Sequence, residues 1–579
     1  MPNAKKKDNR DNRASAYNGE NLRVHNLVRN LRGASYDANG IFDSAASNDF
    51  ITEEMNRPGS QMPEKLHNLF DQVDEGQRSV LTQALLDGIS KYETDHGCEC
   101  PADIVNQAIH NAFGASPEGQ KLDAQFDAVS ASNSHSDNFS LQPNRAVIAI
   151  LTTFTESIPW AMYLPADIRS NEARLGILAH RAATASGLYA QGDSLDGVNS
   201  GKPFIGTSRI HTTTPTLTTG ENPTSTGKIV GKISYKQTAR GVCDQTVTAT
   251  KILRGRTLVY VAGRVVAHES EANKNGTGNS PISGSFSVEG TNYTISGNIN
   301  SDTGAYELNT TPALPATVPV MVEGFLDYEA DSSITPMLES DVEVFRLFAN
   351  PWRVLTRLSP DARTQISNEF GLDAYSESLL AVQAQFANER HKDAMFKGLQ
   401  LAQNNKLTFD YGVASAHQDA ALPEVWRDFA APLNEISQIM SERTIDHGVT
   451  HLYVTKKVAS HLAGLPTTFF EPSGIAARPS IYRLGRLFGR YEVYYTPDIL
   501  TETTNSSGKT SAQILCVGRA SDVARNPIVM GDAVAPTVIP LMAGNDLRAG
   551  AGFYARNFTC VNPHEPSSNG FGLIEVTNL

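Results

Sequence analysis

Cysteine is scarce in this chain: five thiols in 579 residues, an odd number, widely scattered. That usage excludes a disulfide scaffold and suits a reducing compartment. Long apolar runs are absent too. The best of them, Ala146 to Leu151, soon meets Glu156 and Pro159, so no segment reaches the roughly 18 consecutive apolar residues of a membrane span. A basic excess is also missing. Lys plus Arg number 49 against 62 Asp plus Glu, a net charge of −13, which is the wrong sign for a protein that coats nucleic acid. The basic stretch Met1 to Arg13 has no apolar segment behind it and is not expected to be a secretory signal. Charged residues make up 19% and hydrophobic residues 40%, the balance of a folded chain rather than a disordered one. At roughly 150 residues per domain the length predicts about four domains, with ample chain to bury cores without metals.

What is present is unevenly distributed. Residues 1–32 carry eight Lys/Arg against three Asp/Glu, and residues 41–140 carry five against 17, a net of −12. Helix periodicity in the acidic block (Leu66, Leu69, Phe70, Val73; then Val80, Leu81, Ala84, Leu85, Ile89, Tyr92; then Ile104, Val105, Ala108, Ile109, Ala112) predicts three helices, Pro63–Asp74, Gln77–Glu93 and Pro101–Phe113. The polar stretch Ser130 to Ser140 separates this small bundle from the rest of the chain. From Thr212 to Asp331 the texture turns to Ser, Thr, Gly and β-branched alternation (KIVGKISYK, TLVYVAGRVVAH), with hairpin turns at Glu289-Gly290 and around Asp302-Thr303-Gly304. An all-β module is expected there.

Helix returns at Ser359, an N-cap with Pro360 and Asp361 in the first turn. A second helix is predicted from Asp373 to Gln403, with an apolar stripe of Leu379, Val382, Phe386, Met395, Leu399 and Ala402. Roughly 30 residues at about 1.5 Å each make a rod of about 45 Å. The charges in its middle (Glu389, Arg390, Lys392, Asp393) are read as a solvated face, with a neighbouring subunit as the alternative. Beyond it, HLYVT, KKVASHLAGL, RYEVYYT and AQILCVG alternate strand and helix.

Each chemical motif that presents itself has a plainer reading. Gly508-Lys509-Thr510 resembles the end of a phosphate loop, but Thr503 stands where its first glycine belongs, and a strand rather than a helix comes next; a hairpin loop is expected. His96, Cys98, Cys100 and His110 are four potential zinc ligands, but the Cys-x-Cys spacing is too tight and His110 would have to fold back from a helix. His447 and His451 are four apart with no glutamate between them, and Gly448, Val449 and Thr450 favour a strand entrance. Gly192 to Gly197 is not a nucleophile turn, because its closing glycine comes one residue late. No acid/base pair or triad emerges, so no catalytic, cofactor-binding or metal-binding residue is assigned and an enzyme is not expected.

The segment VEGFLDYEADSSITPMLESDVEVFRLFANPWRVLTRLSPDARTQISNEFGLDAYSESLLAVQAQFANERHKDAM resembles the central region of major capsid proteins of large contractile-tailed bacteriophages. The matching pieces are strands over Asp341 to Leu347 and Arg353 to Leu358, the short helix Pro360 to Phe370, the turn Gly371-Leu372-Asp373, and the long spine helix. The resemblance runs on through LYVTKKVASHLAGL and Gly489 to Asp498. It ends with Ala535-Pro536 to Pro540-Leu541, Tyr554 to Arg556, and Asn562-Pro563. It spans Met321 to about Pro563. The chain departs from the family at Asp532-Ala533-Val534, where aromatics are usual, and in the size of its β module.

The resemblance implies an α+β, HK97-like capsid fold with a long spine helix, an inserted all-β module and an N-terminal helical extension. Its expected divisions are a basic arm and acidic helical extension (1–140), an N-arm and start of an extended loop (141–211), the β module (212–331), a peripheral domain with the spine (332–420), an axial domain (421–540) and a C-terminal return to the peripheral domain (541–579). It implies a structural protein of the virion that self-assembles into hexamers and pentamers of an icosahedral shell in the host cytoplasm. Implied partners are its own copies, portal, scaffolding and decoration proteins, and packaged DNA held without sequence specificity; no membrane is implied. A tail sheath subunit, a carbohydrate-binding adhesin built on the β module, and a metal hydrolase using His96 or His447 are the alternatives. The acidic helices are expected to serve assembly, and removal of residues 1–140 to leave a folded core.

Overall fold

The computed structural model describes residues 16–36, 40–57, 60, 62–114, 138–167, 170–217, 227–270, 278–370, 374–416, 422–541 and 549–579. The chain forms two compact units, one of residues Met1–Ile177 with Val344–Leu579 and the other of Leu178–Glu343.

In the first unit the N-terminal helices are α1 (Ala16–Ser35), α2 (Ser44–Asn56), α3 (Glu64–Asp71), α4 (Glu75–His96), α5 (Ala102–Gly114) and α6 (Asn138–Glu156). Local chemistry fixes several boundaries. The Asp43 carboxylate accepts from the backbone N–H groups of Ala45 and Ala46 and starts α2. Gly97, at φ +66°, ends α4 in the left-handed conformation. The three expected helices appear as α3, α4 and α5; α1, α2 and α6 add to them, so half of the expected basic arm is helical and its first 15 residues lie outside the described ones. Most of the Ser130 to Ser140 stretch lies outside them as well.

Two further helices are α7 (Pro360–Phe370) and α8 (Ala374–Ala402). The Ser359 hydroxyl accepts from the Ala362 N–H at 3.3 Å, as the N-cap reading required. Helix α8, 29 residues long, bridges two sheets. One has four strands in the order Met162–Tyr163, Ile528–Leu541, Ala549–Val561, Asn350–Leu358. Onto it Phe386 packs between Trp352 and Phe553, at ring distances of 5.1 and 5.2 Å. The other sheet has eight strands, with the main order Lys406–Asp410, Phe571–Thr577, Thr510–Val517, His451–Val454, Tyr491–Tyr495, Tyr482–Leu487, Phe470–Pro472. There α8 comes so close that a Cβ on Gly398 would lie 2.3 Å from the Phe571 ring; only glycine fits. Of the described stripe residues, Phe386, Met395 and Ala402 are buried, and Val382 and Leu399 half-buried. The side chain of Leu379 is outside the described set.

The acidic helices are not an appendage. One continuous core joins Leu31, Leu66, Phe70, Leu85, Ile89, Ile104 and Ile109 to Trp160, Tyr453, Leu515 and Phe571. Every residue of α5 from Asp103 to Phe113 is buried, which places that helix inside the protein rather than on it. The expectation that residues 1–140 can be removed to leave a folded core is therefore corrected. Periodicity shows that a helix has an apolar face, but not which distant segment covers it.

The second unit is all-β around a nine-stranded sheet, in the order Ser208–Thr213, Val320–Phe325, Leu258–Val261, Arg264–Glu269, Asn279–Val288, Thr291–Asn300, Ala305–Thr311, Gly227–Lys232, Thr216–Leu217. Glu289 and Gly290 both have positive φ (49° and 79°), the geometry of a tight hairpin turn. TLVYVAGRVVAH is folded in two at Ala262-Gly263, also with both φ positive. The sheet starts before Thr212, because Ser208–Thr213 pairs along its length with Val320–Phe325. Ile229, Val259, Ile282, Ile295, Leu308 and Val322 fill its core.

Two measurements test this packing. Phe386→Ala should lower stability by about 3–5 kcal/mol, read from urea unfolding of the soluble chain. Removal of residues 1–114 should give insoluble protein; a soluble, monodisperse fragment on gel filtration would contradict the shared core.

Candidate assembly surface and the buried charge centre

Most of the residues weighed for chemistry have structural partners, whereas neither ring nitrogen of the buried His447 has a hydrogen-bond partner among the described residues. Gly508-Lys509-Thr510 lies at a hairpin, with Glu502–Thr504 paired to residues 510–512 and Gly508 at φ +77°. His96 Nδ1 lies 3.0 Å from the Tyr494 hydroxyl, His110 Nδ1 lies 2.8 Å from Lys65 Nζ, and the Cys100 thiol faces the Pro101 carbonyl at 3.8 Å. The four residues do not converge. Among the described residues no group of three or more His, Cys, Asp and Glu is placed to hold a metal ion. His451 is on a strand, its Nδ1 2.8 Å from the Thr450 hydroxyl, whereas His447 lies 3.7 Å from Asp446. Gly192 to Gly197 is a loop in the second unit, with Asp193 accepting from the Ala190 N–H at 2.7 Å.

The mid-helix charges split in a way their sequence did not reveal. Glu389 is exposed, Lys392 pairs with Asp498, and Asp393 pairs with Lys397 one turn on at 2.7 Å. Arg390 is neither solvated nor free for a neighbour. It is 2% exposed, and its Nη2 donates to Asp532 Oδ1 at 2.7 Å. Asn111 of α5 donates to the other carboxylate oxygen at 3.0 Å and to Thr153 of α6 at 2.8 Å. Gln107 donates to Asn111 at 2.9 Å. Burial works against the Arg390 charge, but facing Asp532 holds its pKa above the usual value. Burial pushes the Glu156 carboxyl up to about 8, with Arg390 pulling the other way.

A second ion pair does similar work nearby. Arg519 donates to Asp103 at 2.7 Å and to the Ala161 carbonyl at 2.7 Å, and the other Asp103 oxygen accepts from the Tyr163 N–H at 2.9 Å. In the sequence, Asp532 is noted only as a departure from the resembling family, where an aromatic is usual, and is not connected with Arg390. A carboxylate in an apolar setting needs a cation, and Arg390 was already conspicuous in the rod.

The outer surface of this unit offers a different kind of site. At the end of strand Leu338–Phe348 that belongs to this unit, Val344 and Phe348 share one face by alternation, and both are more than half exposed. Strand Asn350–Leu358 is the edge of the four-stranded sheet, paired on one side only, and its Leu355 is 65% exposed. Leu380 and Phe396 of α8 are also exposed. Uncovered apolar side chains and an unpaired strand edge mark an interaction surface rather than a finished one.

No family model matches the chain, and no curated protein does. Among solved structures it is similar to the capsid of jumbo bacteriophage PhiKZ, at 10% identity over 72% of this chain and 91% of that one, TM-score 0.34. It is also similar to the mature capsid of bacteriophage PhiM1, at 9% identity over 53% and 84%, TM-score 0.28. A third is the capsid of Myoviridae phage XM1, at 9% identity over 42% and 78%, TM-score 0.27. No described helix is long and apolar enough to cross a membrane.

Asp532→Ala would leave a buried guanidinium unpaired, so a loss of about 3–5 kcal/mol in chemical denaturation is expected. The folded Glu156 carboxyl holds its proton more tightly than its ordinary value of 4.5. Its contribution is therefore complete at low pH and lost as pH rises from 4.5 through about 8. Glu156→Gln should flatten the fall in melting temperature between pH 4.5 and about 8.

Proposed function

We propose that the chain is a major capsid protein of a tailed bacteriophage with an HK97-like fold, a structural subunit and not an enzyme. The observation that carries this reading is the build of the larger unit. A 29-residue helix ties a four-stranded sheet to an eight-stranded one, while an edge strand and a neighbouring strand present apolar side chains to solvent. A shell subunit needs a stiff rod to hold its two sheets in register and uncovered edges for its neighbours. A subunit that closes rings of five and six must use heterologous contacts, and a stable contact buries roughly 1,200–2,000 Å² in total.

In this reading the four-stranded sheet with α8 is the peripheral part and the eight-stranded sheet the axial part. The last strand, Phe571–Thr577, lies in the latter, beside Thr510–Val517. The subunit assembles in the host cytoplasm into the hexamers and pentamers of the virion's icosahedral head. Portal, scaffolding and decoration proteins are its further partners, and packaged DNA lies on the inner face without sequence specificity. The β module is an insertion carried by the shell subunit.

Electron microscopy of the expressed full chain tests this. Closed shells or hexameric rings are expected; helical tubes would point to a tail sheath, and monomers at high concentration would remove the assembly reading. Because a buried aliphatic or aromatic side chain contributes about 1.5–3 kcal/mol, Phe348→Glu with Leu355→Glu should leave a folded subunit that forms no shells. Shells of normal yield from this variant would place the contact surface elsewhere.

A further inference from the structure

Three imidazoles surround two stacked phenols within the larger unit. His96 is the last residue of α4, His391 lies mid-way along α8, and His451 opens its strand. Tyr453 and Tyr494 are register partners on parallel strands, with rings stacked at 5.4 Å. The Tyr453 oxygen accepts the Trp160 indole N–H at 2.7 Å and lies 2.9 Å from His391 Nε2. The phenol proton can then be given to His391 Nε2 when that nitrogen is unprotonated. Tyr494 serves His96 Nδ1 in the same way at 3.0 Å. The His451 ring lies 6.0 Å from Tyr494.

No free carboxylate awaits an imidazolium here. Around His96 stand Asp95 and Lys91 of its own helix, bonded to each other at 2.6 Å, and Arg483. Arg483 and Arg486 share Glu492, at 2.7 and 2.6 Å. Arg519, which faces His451, is committed to Asp103. His391 is influenced chiefly by burial and then by His96. The thiols Cys98 and Cys100 and the Tyr92 phenol complete the surroundings. Protonating one imidazole removes the acceptor for a phenol O–H and forces that hydroxyl to reorient, and a second protonation adds like-charge repulsion between His96 and the other two rings.

We propose that this cluster is an acid-sensitive latch: neutral His96, bonded to Tyr494, holds the end of α4 to the strand Tyr491–Tyr495, neutral His391 and His451 flank the Tyr453–Tyr494 stack that receives it, and proton uptake releases the helix. Burial pushes His96 down to about 4 and His391 and His451 to about 3, from 6.5. The released state therefore binds more protons, and the latch is complete above pH 6.5 and weakens steadily as pH falls towards 4. The inference stands on the interior of the unit and is independent of the capsid reading.

Hydrogen exchange of the full chain from pH 7.5 to 4.5, corrected for intrinsic rates, tests it. Amides of residues 75–114 should lose protection at a higher pH than strands Thr510–Val517 and Phe571–Thr577. His96→Gln with His391→Gln cannot take up these protons and should move that midpoint down by about half a pH unit or more. Tyr494→Phe keeps the ring stack but removes the donor to His96, and should move it up. His268→Gln, at an exposed position in the other unit, should leave it unchanged. Loss of protection across the whole unit in one step, or a midpoint that ignores both the glutamine pair and Tyr494→Phe, would overturn the latch.

Discussion

The buried pair between Arg390 and Asp532 is the constraint around which the larger unit is arranged. Removing two charges from water is costly, and such a pair is tolerable only when its remaining hydrogen-bonding capacity is filled. Filling the carboxylate's share draws in four parts of the chain, while the Arg390 Nε finds no partner among the described residues. Arg390 comes from the middle of α8, Asp532 from the longest strand of the four-stranded sheet, Asn111 from α5, and Thr153, bonded through Asn111, from α6. Segments more than 400 residues apart in sequence are fixed to one another because a single carboxylate has two oxygens and both must be satisfied.

The same rule repeats at the second pair and at the histidine cluster, and in each the N-terminal helices supply one partner. Asp103 meets Arg519, Asn111 meets Asp532 and His96 meets Tyr494. The acidic helices thus turn selected polar groups inward and leave most of their carboxylates outside. Their negative charge is a property of the outer face, whereas their structural role comes from the few polar residues that point in. A helix such as α5, buried on all sides, cannot be detached without orphaning several of these groups at once, so the extension and the sheets belong to one cooperative body.

The β unit is organised by a different principle. Its strands alternate buried Ile, Val and Leu with exposed Ser, Thr and Asn, and its turns use residues at positive φ. Little in it depends on long-range ion pairs. That explains why its texture could be read directly, down to the Glu289-Gly290 turn, whereas its start was placed late: the pairing of Ser208–Thr213 with Val320–Phe325 brings the sheet in before Thr212.

The sequence by itself determined what depends on neighbours a few residues away. Helix α7 spans Pro360–Phe370 as its caps required, α8 falls within a residue of its expected limits, and the Gly508 loop is the hairpin its neighbours predicted. Local spacing also showed that the thiols and histidines lacked the pattern of a metal site. What only the tertiary structure decided is which face meets which. Arg390 and Glu389 are adjacent on one helix and both are charged, yet one is sealed against Asp532 and the other is in water. A periodicity specifies that a helix has an inside, but burial of a charge depends on a partner supplied from 142 residues away, and no local signal carries that information.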